Sequence, residues 1–148
     1  MNAQPKAPSS RALTYADIAV GDAASSSAVV DAHLVATFGM VSGDMNPLHM
    51  DDRYAARTQF GGRIAHGMIV GALFSRLIGM HLPGKYSLYL SQTLRFHHPV
   101  HVGDELTVRG EVMQKSDALK IVTLRMIALC TKSDTTVVSG NAMVKLLQ

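Results

Sequence analysis

The segment from Ile64 to Met80 constrains the fold most. Ile64, Met68, Ile69, Leu73, Phe74, Leu77 and Ile78 recur at helical spacing and cover much of one helix's circumference. A helix that is apolar nearly all round must be buried on most sides. It is too short, and with Ser75 and Arg76 too polar, to read as a membrane span. Gly67 and Gly71 leave one smooth strip on it where another backbone can approach, and Leu82-Pro83-Gly84 ends it. After Lys85 the period changes from 3.6 to 2. Tyr86, Leu88, Leu90, Gln92, Leu94 and Phe96 alternate with more polar neighbours, which predicts one long half-buried strand. Three further strand patterns follow, over Glu105 to Met113, Leu119 to Cys130 and Thr135 to Leu147. The economical solution is α+β: an antiparallel sheet wrapped around a long central helix.

Before that helix the chain is mainly helical. The Pro/Ser/Ala-rich start, residues 1–12, reads as a disordered tail, and residues 13–148 as a single domain. Ser25 to Val30 suits a short edge strand. Asp31 can cap a helix carrying Leu34, Val35, Phe38 and Val41, which Gly43 terminates. Asp51 or Asp52 can cap a short helix over Arg53 to Arg57. An open sheet leaves edges to cover, so pairing with a second copy is expected.

Charge and cysteine content narrow the function. A net charge of +3, with no Lys or Arg run, argues against nucleic acid as a partner. A single cysteine, Cys130, excludes an intrachain disulfide and a cysteine zinc site and fits a reducing compartment. No signal-peptide pattern opens the chain. A cytoplasmic protein with no membrane partner is expected.

The chemistry concentrates in Phe38-Gly39-Met40-Val41-Ser42-Gly43-Asp44-Met45-Asn46-Pro47-Leu48-His49. Asp44 follows a helix end on irregular backbone, where functional groups gather. Pro47 keeps Asn46 out of the helical region, so Asn46-Pro47 reads as a fixed turn carrying His49 back towards Asp44. The pair can hold a water between them and exchange protons with it, with Asn46 orienting one of them. Two other readings stand beside this one. Asp44 can simply cap turn amides, or Asp44, His49 and Asp51 can ligate a metal, although no helical ligand spacing supports a metal. The second constellation is His66-Gly67-Met68 at the start of the long helix. Amides there have no internal partner, so the Gly67 N–H is a candidate donor to an oxygen that gains negative charge. Gly67 can equally serve only close packing, and His66 reads as a structural hydrogen-bonding residue. His97, His98 and His101 read as a solvated strand end. Ser75 lacks the glycine frame of a serine nucleophile.

These motifs resemble those of the MaoC-like (R)-specific enoyl-CoA hydratases, the hydratase 2 group. Phe38, Ser42, Gly43, Asp44, Asn46, Pro47 and His49 match the signature. Ile64, Ala65, His66, Gly67 and Met68 match a second block, and Pro99, Val100, Gly103 and Asp104 a third. The resemblance implies a hot-dog fold and an Asp44/His49 dyad supported by Asn46, with the Gly67 amide on the thioester oxygen. It implies (R)-specific hydration of trans-2-enoyl-CoA, in the manner of the short bacterial hydratases that feed polyhydroxyalkanoate synthesis as homodimers. Acyl-CoA is then the substrate, and no cofactor or metal is needed. Met68, Ser75 and Ile78 are candidates for the acyl pocket; Arg63, Lys85 and Arg95 are candidates, by charge, for the CoA phosphates. The alternatives are an acyl-carrier-protein-linked 3-hydroxyacyl dehydratase, a hot-dog acyl-CoA thioesterase, or a module that binds acyl-CoA without turnover.

Overall fold

Six antiparallel strands curve around one helix in the computed structural model, which describes residues 8–148. They are β1 (Ala23–Val29), β2 (Ser87–Gln92), β3 (Arg95–Phe96), β4 (Glu105–Ser116), β5 (Ile121–Cys130) and β6 (Thr135–Leu146). The helices are α1 (Ala32–Ser42), α2 (Pro47–Met50), α3 (Asp52–Ala55) and α4 (Gly67–Met80). The sheet order is β1-β4-β5-β6-β2, with β3 also beside β6. The meander β4-β5-β6 is therefore central, while β1 and β2 cross to its two edges.

Alternation along the central strands builds the core. Leu106, Val108 and Val112 on β4, Val122, Leu124 and Met126 on β5, and Ala142 and Val144 on β6 are all buried. They meet Ile69, Val70, Leu73, Phe74, Leu77 and Ile78 of α4. A Cβ added at Gly110 would come within 3.0 Å of Leu77 Cδ2, so glycine there lets the helix lie close over β4. Burying side chains of this size contributes about 1.5–3 kcal/mol each. The expected hot-dog architecture, a sheet around a buried helix, is what forms.

Local chemistry sets several boundaries as expected. The Asp31 carboxylate accepts from Leu34 N–H at 2.8 Å and starts α1. Gly43, at φ 77°, ends it, its N–H donating to Gly39 O at 2.9 Å. The cap of α3 is Asp51, which accepts from the Arg53 and Tyr54 amides, and that helix stops at Ala55, short of Arg57.

Other boundaries differ. The long helix begins at Gly67 and not at Ile64. Ile64 bridges to His101 and Ala65 N–H donates to Val100 O at 2.7 Å, so these residues are extended and His66 becomes the cap. The strand expected from Tyr86 to Phe96 breaks into β2 and β3. A Cβ at Gly140 on β6 would lie 1.8 Å from Thr93 O, so the chain crosses that glycine too closely to keep a regular ladder. The register of β2 against β6 also shifts between Tyr89 and Ser91. Its apolar face is turned outward: Leu88 and Leu90 are 47% and 46% exposed, while Tyr89 packs on the core. β4 continues past Met113 to Ser116 through an irregularity after Val112. Leu119 is exposed in the turn before β5.

Residues 1–7 lie outside the described residues, so the expected tail is described only in part. The chain is already anchored at residues 10–12. Ser10 Oγ donates to Gly79 O at 2.6 Å, Arg11 N–H donates to Met80 O at 3.0 Å, and Ala12 bridges to Gly84. No helix among the described residues is long and apolar enough to cross a membrane.

Candidate active site

The segment after α1 is built from short-range hydrogen bonds. Ser42 Oγ donates to Phe38 O at 2.7 Å and accepts from Asp44 N–H at 3.2 Å. Asp44 Oδ1 accepts from Asn46 N–H at 3.2 Å. The Asn46 side-chain oxygen accepts from Leu48 N–H at 2.9 Å and caps α2, whose first residue is Pro47. Asn46 thus supports both partners indirectly: its amide holds the Asp44 carboxylate, and its side chain starts the helical turn that carries His49. Its φ and ψ of −52° and 129° are the extended values that a following proline imposes.

His49 is half-buried, and its Nδ1 lies 2.8 Å from Ile64 O. A carbonyl only accepts, so Nδ1 carries a proton, and in the neutral ring the lone pair is on Nε2. His66, 3% exposed, places its ring centroid 4.0 Å from that of His49 and 5.1 Å from that of Phe38. Its Nε2–H donates to Asp44 O at 2.8 Å. One side-chain ligand atom from each of Asp44, His49 and His66 lies within 4.8 Å of the others. The two halves expected from the motifs therefore meet in one place.

Gly67 follows His66 directly as the first residue of α4. It is exposed, and among the described residues no group accepts from its N–H. A Cβ at Gly67 would fall 2.6 Å from Phe96 Cε1, and one at Gly71 would fall 3.3 Å from Leu94 Cδ1. The glycine strip is thus used for close packing, by the Phe96 and Leu94 side chains and not by another backbone as expected, and its leading amide is also left open. Both properties belong to the same residue.

A cavity of about 320 Å³ opens beside His49, His66 and Gly67. Its remaining wall is mainly apolar and includes Phe60, Ile64, Val70, Phe96 and Val138. His97 and His98, expected as a solvated strand end, are exposed and border it. The wall residues Phe60, Phe96 and Val138 escaped the sequence reading. The one available signal was the Gly67/Gly71 strip, which needed a bulky partner.

The acyl-pocket candidates scatter. Met68 and Ser75 are exposed on α4, Ile78 is 1% exposed in the core, and none of the three lines this cavity. Among the phosphate candidates, Arg63 pairs with Asp52 at 2.7 Å and reaches His49 O at 3.4 Å. Lys85 lies 5.5 Å from the Tyr86 ring centroid. Arg95 is exposed in a groove on the strand side with Arg125 and Asn141. The three do not converge.

The donor atoms of Asp44, His49 and His66 are close enough to suggest a metal. The fit is poor. His49 Nδ1 and His66 Nε2 are each committed as donors to carbonyls, and the remaining His66 nitrogen is buried. Asp51, weighed as a ligand, spends its carboxylate on capping α3.

Known proteins share both the sequence and the fold. The profile of the MaoC like domain matches residues 5–130. An (R)-specific enoyl-CoA hydratase of Aeromonas caviae is 44% identical over 134 residues, spanning 90% of this chain and 99% of that one. The solved structure of an (R)-hydratase from A. caviae involved in PHA biosynthesis has a TM-score of 0.84 at 43% identity, covering 87% of this chain and 97% of that one. The R-hydratase PhaJ1 from Pseudomonas aeruginosa, unliganded, has a TM-score of 0.89 at 40% identity, covering 93% and 87%. By profile, identity and fold together, the chain belongs to the MaoC-like domain family.

Proposed function

We propose that this protein is an (R)-specific enoyl-CoA hydratase, adding water across the double bond of a trans-2-enoyl-CoA. The observation that carries the proposal is a cavity bordered by His49, His66 and Gly67, with a carboxylate oxygen of Asp44 within 4.8 Å of a ring nitrogen of each histidine and no group accepting from the Gly67 N–H among the described residues.

The reaction follows from their chemistry. The thioester carbonyl makes the β-carbon electrophilic. The Gly67 N–H, at the positive end of α4, stabilises the oxygen that becomes enolate-like as water adds. Water held between Asp44 and His49 gives its oxygen to the β-carbon and one proton to the pair. The pair returns a proton to the α-carbon, so the net change is one added water. Delivery from one side gives syn addition and the (R)-3-hydroxyacyl product. The free lone pair of His49 Nε2 favours it as the atom that takes the proton from water, while the Asp44 carboxylate orients that water and shares its charge.

The apolar wall of the cavity accommodates the enoyl group nearest the thioester. Met68, Ser75 and Ile78 do not line this cavity, so they do not define the room for longer chains, and Arg63, Lys85 and Arg95 remain the cations proposed for the CoA phosphates. The functional unit is a homodimer. Support comes from the outward-facing Leu88 and Leu90 on edge strand β2, with Met143 on the adjoining β6. The enzyme acts in the cytoplasm, in fatty acid metabolism, and supplies (R)-3-hydroxyacyl-CoA to polyester synthesis, as suits its likeness to the A. caviae hydratase.

The test is turnover of trans-2-enoyl-CoA substrates from four to twelve carbons, with chiral analysis of the product. Water addition with (R) product supports the proposal. Thiol release without hydration would identify a thioesterase. Turnover of carrier-protein thioesters alone would identify the carrier-protein dehydratase, and binding without turnover a non-catalytic module.

A further inference from the structure

The buried residue that the hydration scheme leaves idle is His66. It is a buried polar side chain, 3% exposed, set against the Phe38 and His49 rings. Burying an imidazole costs free energy unless its nitrogens are satisfied. Only one is: Nε2–H donates to Asp44 O at 2.8 Å, while Nδ1 has no hydrogen-bond partner among the described residues. A leucine or methionine would fill the same volume without that penalty, so packing alone does not explain a histidine here.

What the histidine does is join three parts of the site that no covalent connection orders. Its backbone caps α4, immediately ahead of the Gly67 amide. Its Nε2–H grips the main chain of Asp44, twenty-two residues earlier. Its ring lies 4.0 Å from His49 and 5.1 Å from Phe38. The loop it grips is otherwise lightly held, because Gly43, Asp44, Met45 and Asn46 are all exposed and their remaining hydrogen bonds are local. The long-range bond from His66 is therefore what fixes the height of Asp44 relative to α4. Its Nε2 also lies 4.0 Å from Asp44 Oδ2, too far for a hydrogen bond, so that oxygen is left free to meet water while Oδ1 accepts from Asn46 N–H.

We infer that His66 is a positioning residue: through the Asp44 carbonyl it holds the Asp44 carboxylate, the His49 imidazole and the Gly67 N–H at one fixed spacing. His66 borders the cavity, but its Nε2–H is taken by Asp44 O and its Nδ1 is buried, so it has no nitrogen to exchange a proton with substrate or water. Its contribution is geometric, and a displacement of about 1 Å in such a constellation costs on the order of a hundredfold in rate. The inference rests on the hydratase reading above.

The experiment compares His66→Phe and His66→Gln with the parent, using crotonyl-CoA. Phe keeps a ring against Phe38 and His49 but has no donor. Gln places an N–H where Nε2 stands and can restore the bond to Asp44 O. His66→Phe is expected to lose kcat about a hundredfold, with KM within about twofold because the phenyl ring keeps a flat side chain at the same place in the cavity lining. His66→Gln is expected to recover at least a tenth of the parent kcat. Melting curves accompany both, and His66→Met, a flexible filler without a donor, replaces the Phe variant if that protein is recovered unfolded. Parent-like kcat in the donor-less variant would overturn the inference. So would a Gln variant as slow as the Phe variant, or losses that only follow the unfolded fraction. Asp44→Asn, run beside them, separates the two claims. If it is inactive while His66→Phe is unimpaired, only the positioning role falls; if it turns over normally, the Asp44/His49 chemistry falls; and if the parent itself does not hydrate crotonyl-CoA, the hydratase reading falls.

Discussion

The Nδ1–H of His49 donates to the main-chain oxygen of Ile64 across 2.8 Å. This bond fixes the orientation of the ring and leaves Nε2 as the nitrogen available to the proposed proton transfer. It also explains why Ile64 and Ala65 leave the helix: as extended residues they present a carbonyl that a helical turn would have used internally. His49→Asn tests it, since the asparagine amide can keep the bond to Ile64 but offers no base at the Nε2 position. The variant should retain the parent's melting temperature within a few degrees and lose kcat by about a hundredfold or more. Circular dichroism melting and a hydration assay check both halves.

Gly67 faces two demands, an open amide and no side chain. A Cβ there would lie 2.6 Å from Phe96 Cε1. Gly67→Ala should therefore displace the Phe96 ring and cost about 1–3 kcal/mol of stability. Activity should fall because the cavity wall shifts beside the proposed oxyanion donor. Pairing Gly67→Ala with Phe96→Ala should return most of the stability, as a double-mutant cycle would show.

The sequence made the site legible and left its walls obscure, for physical reasons. Asp44, Asn46 and His49 are close in the chain, and Pro47 and Gly43 dictate the intervening backbone, so local rules reach them. The buried helix was equally plain, because its periodicity is a local property too. The break between β2 and β3 depends on Gly140 crossing Thr93, a contact between residues 47 positions apart that no periodicity encodes. The outward turn of Leu88 and Leu90 is legible only once β2 is known to be an edge strand. The bond from His66 to Asp44 O is of the same kind, since a main-chain acceptor carries no side-chain signature.

Gly140 gives the third prediction. Its Cβ position falls 1.8 Å from Thr93 O, a backbone atom that cannot step aside as a side chain can. Gly140→Ala should destabilise the protein by about 3 kcal/mol. It should also loosen β3, which carries Phe96 into the cavity wall. Denaturant unfolding measures the first effect and hydration kinetics the second.

Tyr89 gives a pH prediction. Its hydroxyl donates to Gln92 Oε1, and burial pushes its phenol up to about 12. In the unfolded chain the same phenol titrates near ~10. The stability it contributes is thus complete below the unfolded value and is lost as pH rises from about 10 to about 12. Ultraviolet titration of Tyr89→Phe should lose the tyrosine amplitude that the parent shows near pH 12, while Tyr15, which burial and the Asp117 hydrogen bond also hold above the usual phenol range, is unchanged. That variant should lose less stability than the parent over the same range.

The account rests on a water poised between Asp44 and His49, opposite the Gly67 amide. The most direct measurement is the rate and stereochemistry of crotonyl-CoA hydration by the parent and by Asp44→Asn, a change at an exposed position that leaves the core intact. The parent should yield (R)-3-hydroxybutyryl-CoA, and the folded variant should be slower by about a hundredfold or more. An (S) product, or an Asn variant within about threefold of the parent, would contradict it.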